Sequence, residues 1–148
     1  MLHVITTLND SLLDLIKDDP VRPEIPISAR VCEDSAEVFV LIRDGAPAAV
    51  TCVRYTHDVP NSVTELANTD RPKVAVFYTI WSYQPGAGRE LIGQAQAHIQ
   101  LTRAEIARFV TLSPKTEMAR VFHHKNGAQT LRENADTVNY EYPTGTTL

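Results

Sequence analysis

The chain has 148 residues, 43% of them apolar and 22% charged, a mix that excludes disordered and fibrous classes and suits one filled core in a single domain, residues 1–148. Fourteen Lys and Arg against eighteen Asp and Glu leave a formal charge of −4, which argues against broad nucleic-acid or anionic-membrane binding. No apolar run approaches the roughly 20 residues that span a bilayer, MLHVITTLND lacks a basic n-region, and Cys32 and Cys52 have no metal spacing, so a cytoplasmic protein with two buried free thiols is expected.

In chain order, LHVITT reads as a short strand, and Asn9 or Asp10 caps a helix through SLLDLIKDD, where Leu12, Leu13, Leu15 and Ile16 form an apolar face. Pro20, Pro23 and Pro26 each fix φ and remove a donor, so residues 20–28 form an irregular connection. Asp44-Gly45 joins two β-rich runs near 37–43 and 47–56, the pattern of an antiparallel hairpin. Residues 57–72 are a long polar connection in which VTELA allows a short helix.

KVAVFYTIWS then reads as a central strand buried on both faces. A helix follows from about Gly88, with Leu91, Ala95 and Ile99 at i, i+4, i+8. RFVTLS is another strand, Ser113-Pro114 reads as an N-cap and first turn, and PKTEMARVFHHKN is a second helix ending at Asn126-Gly127. TVNYEY closes the chain's strand pattern. The order β, α, β-hairpin, β, α, β, α, β predicts an α/β (α+β mixed) domain, with 73–113 a β-α-β unit whose glycines lie at the strand-to-helix turn.

That turn, YQPGAGRELI, carries the chemistry. Unpaired amides and the positive dipole end of a helix attract anions, and glycines let phosphate oxygens reach them. The same composition also makes a simple tight connection. No Gly-Lys-Ser/Thr follows, and GxGxxG is absent, so two nucleotide-binding loops are excluded.

The turn resembles the pyrophosphate loop of the GNAT superfamily of acyl-CoA-dependent N-acetyltransferases, Arg/Gln-x-x-Gly-x-Gly/Ala, with Gly86 and Gly88 at the two small positions and Tyr83 where Arg or Gln is usual. TEMARVFHHKNGA is similar to the family's later helix, Thr116, Ala119, Phe122, Gly127 and Ala128 falling on its Asn, Ala, Phe, Gly and Phe positions and His123 on its Tyr. The resemblance implies a GNAT-like mixed, mostly antiparallel sheet of about six to seven strands, whose parallel central strands splay apart. It implies acetyl-CoA or a related acyl-CoA as co-substrate, with pantetheine against the main chain of Phe77, Tyr78, Thr79 and Ile80. The pyrophosphate would lie on the loop of Gln84, Pro85, Gly86, Ala87, Gly88 and Arg89, with Thr116 beside the cofactor.

Direct transfer of an acyl group to an amine needs a proton for the departing thiolate, and the resemblance makes His123 the candidate general acid. On residues alone, His123 and His124 are equally two polar positions of a partly exposed helix, pointing about 100° apart and so a poor metal pair; no metal is expected. Neither central strand holds a carboxylate, which leaves His57, Asp58 and Glu117 as distant base candidates or an acceptor that arrives neutral. Three readings follow: an acyltransferase acting on an unknown amine of a small molecule or protein; a silent CoA-binding or interaction module on the same fold; and, because TLSP is similar to a stretch of malonyl-CoA decarboxylases, an acyl-CoA decarboxylase. A homodimer is left open.

Overall fold

The computed structural model describes residues 1–144. Eight strands form one sheet: β1 (Leu2–Ile5), β2 (Ala36–Arg43), β3 (Ala46–Thr56), β4 (Val74–Ser82), β5 (Arg108–Thr111), β6 (Ser113–Pro114), β7 (Gln129–Glu133) and β8 (Thr137–Tyr142). Two α-helices, α1 (Ala87–Thr102) and α2 (Glu117–Lys125), complete the mixed α/β fold. The order across the sheet is β1-β2-β3-β4-β5-β8-β6, with β7 on the other edge of β8. Every pairing is antiparallel except β4 with β5.

The hairpin β2–β3 turns at Asp44 (φ 51°) and Gly45 (φ 79°), the two consecutive positive φ values that match strand twist in a two-residue turn. α1 lays Leu91, Ala95 and Ile99 on one face of the sheet against Phe39, Val53, Tyr55 and Phe77. The opposite face, with Val38, Val50, Val76 and Trp81, is covered by Leu13 and Ile16, Val31 and Leu66.

Those covering residues lie on short 3₁₀ turns and loops. The segment Ser11–Asp18, expected as an α-helix, is 3₁₀, capped by Asp10 Oδ1 on the Leu12 amide at 2.9 Å. Leu13 and Ile16, its two buried residues, stand three apart, which matches a helix of three residues per turn, and Pro20 blocks continuation. Thr64–Ala67 is likewise 3₁₀.

Three further expectations are corrected. Ser113-Pro114 is strand β6, paired with Val138 and Thr137, and the N-cap of α2 is Thr116, whose Oγ1 accepts from Ala119 N at 3.2 Å. Gln129–Glu133 forms β7, so the sheet has eight strands where six to seven were expected, β6 and β7 pairing only with β8. Cys52 is buried but Cys32 is exposed, because it sits in the turn before β2, where its carbonyl accepts from the Ser35 and Ala36 amides.

The Pro-rich connection is tied down by one buried ion pair. Arg30 Nη1 lies 2.6 Å from Asp19 Oδ2, both side chains fully buried. Asp19 Oδ1 also accepts from Thr79 Oγ1 at 2.8 Å and from the amides of Val21 and Arg22, while Arg30 Nη2 donates to the carbonyls of Arg22 and Ile25. Burial pushes the Asp19 carboxyl up, but the Arg22 amide, Arg30, Thr79 and the Val21 amide together hold it below its ordinary value.

Asp19→Ala leaves Arg30 buried without its partner and is expected to cost about 3–5 kcal/mol in urea denaturation at pH 7. Because the folded carboxyl titrates below the unfolded one, its contribution is present above about pH 4 and lost as pH falls through the folded value. The wild type should therefore lose stability below about pH 4 more steeply than Asp19→Asn.

Candidate functional site

β4 has β3 along one edge for its whole length, but β5 accompanies it only from Val74 to Phe77, where the register ends at Phe77↔Thr111. One further bond, Leu112 N to Phe77 O at 3.1 Å, closes the contact. From Leu112 the chain turns onto β8 as β6, so among the described residues Tyr78–Ser82 have no strand neighbour on that edge. The β3–β4 register shifts where Val53 pairs with Phe77 and Cys52 with Thr79, skipping Tyr78. This bulge puts Tyr78 in the core on the Asp19 side and directs Thr79 to Asp19 itself.

The parting opens a groove of about 360 Å³. One wall is Phe77 to Ser82 of β4, the other Leu112 to Pro114; Pro20 and Val21 of the strapped connection and Thr116, Ala119, Phe122 and His123 of α2 complete it. Of the residues expected from the sequence, Phe77, Tyr78, Thr79, Ile80, Gly88, Thr116 and His123 thus line one cavity. The Phe77 carbonyl is taken by Leu112, which leaves the main chain beyond it as the unpaired edge.

Gln84, Pro85, Gly86, Ala87 and Arg89 form the turn into α1. Gly86 is the N-cap at φ 75°, a conformation that glycine adopts without strain. Ala87 N donates to Gln84 O, whereas the amides of Gly86, Gly88 and Arg89 have no protein acceptor among the described residues. Arg43 braces the turn, with Nη1 on Pro85 O at 3.3 Å and Nε 3.6 Å from Glu90. Gly88 serves packing as well as access: a Cβ there would stand 3.0 Å from Phe122 Cζ. Tyr83 points away from the turn, where its hydroxyl donates to Asp18 Oδ2 at 2.8 Å and accepts from Trp81 Nε1 at 3.0 Å.

His123 is buried among aromatic rings, stacked on Tyr140 at 5.1 Å and edge-on to Phe122 and Tyr142. Its Nδ1 lies 2.7 Å from Tyr142 Oη. Burial, assisted by His124, lowers its pKa to about 4, so the imidazole is neutral at pH 7. His124 is exposed and bonds Thr130, so the two rings face different surroundings.

Ser113, read from sequence only as a cap, is buried in the groove wall with Oγ donating to Thr111 Oγ1 at 2.8 Å. Tyr142 escaped the sequence reading because its partner lies 19 residues away. No carboxylate lines the groove, and among the described residues no cluster suits a metal. Two of the three distant base candidates are engaged elsewhere: Glu117 with Arg120, and the His57 ring with Arg71 O.

No family model and no curated protein matches the chain. Solved structures do. Malonyl-CoA decarboxylase from Agrobacterium vitis superposes with a TM-score of 0.67 at 24% identity, over 82% of this chain and 35% of that one. Tetrahymena GCN5 gives 0.64 at 15% identity over 96% and 94% of the two chains. A GNAT family acetyltransferase from Elizabethkingia anophelis with acetyl-CoA bound gives 0.62 at 11% over 96% of each. The chain spans about a third of the decarboxylase and nearly all of the acetyltransferase, and its fold is the GNAT fold.

Gly88→Val drives a branched side chain into the Phe122 ring and separates α1 from α2 at the groove mouth. It is expected to lower the melting temperature by several degrees, corresponding to about 1–3 kcal/mol of overpacking. Gly88→Ala, with one added methyl, should cost less, both read by thermal unfolding.

Proposed function

We propose that this protein is a cytoplasmic acyltransferase that takes an acetyl or other short acyl group from acyl-CoA and passes it directly to an amine. The observation that carries the reading is the junction of a parted strand pair with a helix N-terminus whose amides are unpaired. A pantetheine arm hydrogen-bonds to exposed strand edges as a third strand would, and a diphosphate suits amides at a positive dipole end. Arg89 and Arg43 supply charge beside those amides. The solved neighbours that hold acetyl-CoA or CoA on this fold support the same ligand.

In this proposal the thioester lies toward Ser113 and His123. The neutral imidazole offers an N–H donor to the thioester oxygen or the departing sulfur rather than a cationic acid. With no carboxylate in the groove, the amine arrives neutral or sheds its proton to water.

A second reading, decarboxylation of a carboxylated acyl-CoA such as malonyl-CoA, draws on two observations. Ser113 and His123 share the groove without a carboxylate, and loss of CO₂ needs no base, only a donor for the enolate oxygen and a proton for carbon. The malonyl-CoA decarboxylases among the structural neighbours also share 22–24% identity with this chain, against 11–16% for the acetyltransferases.

Acetyl-CoA at a hundred times its dissociation constant should stabilise the protein by about 2.7 kcal/mol. Thiol release with a panel of amines indicates transfer; CO₂ release from malonyl-CoA without free thiol indicates decarboxylation. His123→Phe should lower turnover in either case by about 100-fold or more with the ligand-induced thermal shift retained. No shift at millimolar acyl-CoA removes both readings.

A further inference from the structure

A neutral imidazole is a weak proton donor unless its second nitrogen gains a proton as the first one loses its own. The surroundings of His123 meet that requirement. The ring's only hydrogen-bond partner among the described residues is Tyr142, at 2.7 Å from Nδ1, in an otherwise aromatic enclosure of Phe122, Tyr140 and Tyr142. If Nδ1–H donated to Tyr142, the hydroxyl hydrogen would be left without a protein acceptor. With Tyr142 donating to Nδ1 the hydroxyl hydrogen is satisfied within the protein, and in that arrangement the imidazole carries its proton on Nε2, the nitrogen left for the groove. Burial raises the pKa of Tyr142, so the hydroxyl keeps its proton at rest.

Tyr142 also lines a second cavity. This rear cleft, of about 100 Å³, lies between α1 and the end of β8 and is lined as well by Arg89, Gln96, Gln100 and Asn126. Asn126 Nδ2 is buried there with no protein partner, a donor that a water molecule would satisfy. His123 thus lines the groove, Tyr142 and Asn126 line the cleft, and the His123–Tyr142 hydrogen bond joins the two.

We propose that Tyr142 is the inner member of a two-proton relay that feeds the groove from this rear cleft: as Nε2 of His123 gives its proton to the reacting atom, Tyr142 gives one to Nδ1, and water beside Asn126 restores the hydroxyl. This rests on the proposed acyl-CoA chemistry. In acyl transfer the N–H bond at Nε2 breaks and an S–H bond forms on the departing thiolate, while the amine sheds its proton to water in the groove and hydroxide is left in the cleft. In decarboxylation the bond formed is C–H on the enolate carbon, and water in the groove adds to CO₂, giving bicarbonate and a proton. In either case the proton released in the groove returns to Nε2, Nδ1 gives its own back to Tyr142, and Tyr142 passes one to the cleft hydroxide, which restores water and the resting tautomer. Imidazolium is never populated, in keeping with the aromatic enclosure.

The direction of the central bond is tested on the resting protein by nitrogen-15 NMR of the His123 ring. The expected result is the Nε2–H tautomer, shifting toward a mixture in Tyr142→Phe; a protonated Nδ1 in the wild type overturns the relay whether or not turnover has been found. With active enzyme, the dependence of turnover on the deuterium fraction of the solvent should be bowed, as for two protons in flight. In Tyr142→Phe it should be linear, with turnover reduced about 100-fold and the acyl-CoA thermal shift unchanged. A merely structural role for Tyr142 would slow the reaction without altering the curvature, and an unchanged curve or full turnover in the variant refutes the proposal. Absence of turnover with both acetyl-CoA plus amines and malonyl-CoA instead counts against the proposed function, leaving the tautomer measurement to judge the relay.

Discussion

The architecture depends on one unequal constraint: β4 is bonded to β3 along its whole length but to β5 only as far as Phe77. A buried strand edge without a partner is costly, because each unpaired amide or carbonyl loses its hydration without compensation. The fold keeps the cost tolerable by leaving the edge on a groove open to solvent. The bulge at Tyr78 sits where the strands part, and a bulge adds local twist that turns β4 away from its neighbour. β5 departs for a comparable reason, since beyond Leu112 the line of pairing along β8 continues as β6.

One rim of the groove is held from a distance. Pro20 and Val21 would be an unstructured rim were it not for Asp19 and Arg30, whose buried pair satisfies backbone groups on both sides of the prolines. Buried ion pairs contribute little net stability compared with apolar packing, but they tolerate few alternative geometries. Here that specificity joins three segments far apart in sequence: the end of a 3₁₀ turn, the loop at Arg30, and Thr79 at the bulge. The same pair thus shapes both the core face and the cavity.

Inside the cavity the electrostatics are spare. The polar side chains of the groove include the hydroxyls of Thr79, Ser82, Ser113 and Thr116 and a histidine that aromatic burial keeps neutral, with the charged arginines at the turn outside. Such a site cannot rely on a strong acid or base; in the proposed reactions it would work by positioned hydrogen-bond donors acting on a thioester, whose carbonyl and sulfur are the groups that gain negative charge. The fold alone is compatible with more than one such reaction, which is why transfer and decarboxylation are separated by products and not by architecture.

How much of this could be read from the chain follows from the range of each interaction. The Asp44-Gly45 hairpin, the strand through Phe77, the glycine break and both helices are encoded by residues within a few positions of one another, where propensity and periodicity act. Gly86, Gly88, Thr116 and His123 were visible for that reason. Where local signals were equivocal, tertiary pairing decided: Ser113-Pro114 had the makings of a helix start, yet partners on β8 made it a strand and moved the cap to Thr116. The parting of β4 and β5, the burial of Arg30 against Asp19, and the meeting of His123 with Tyr142 join groups 11 to 34 residues apart. Their energies depend on desolvation and on partners that only the packed sheet brings together. Sequence by itself determined where the chain turns and which faces are apolar; the tertiary structure decided which strand edge stays open and which buried groups share a proton, because both are properties of pairs that no local pattern records.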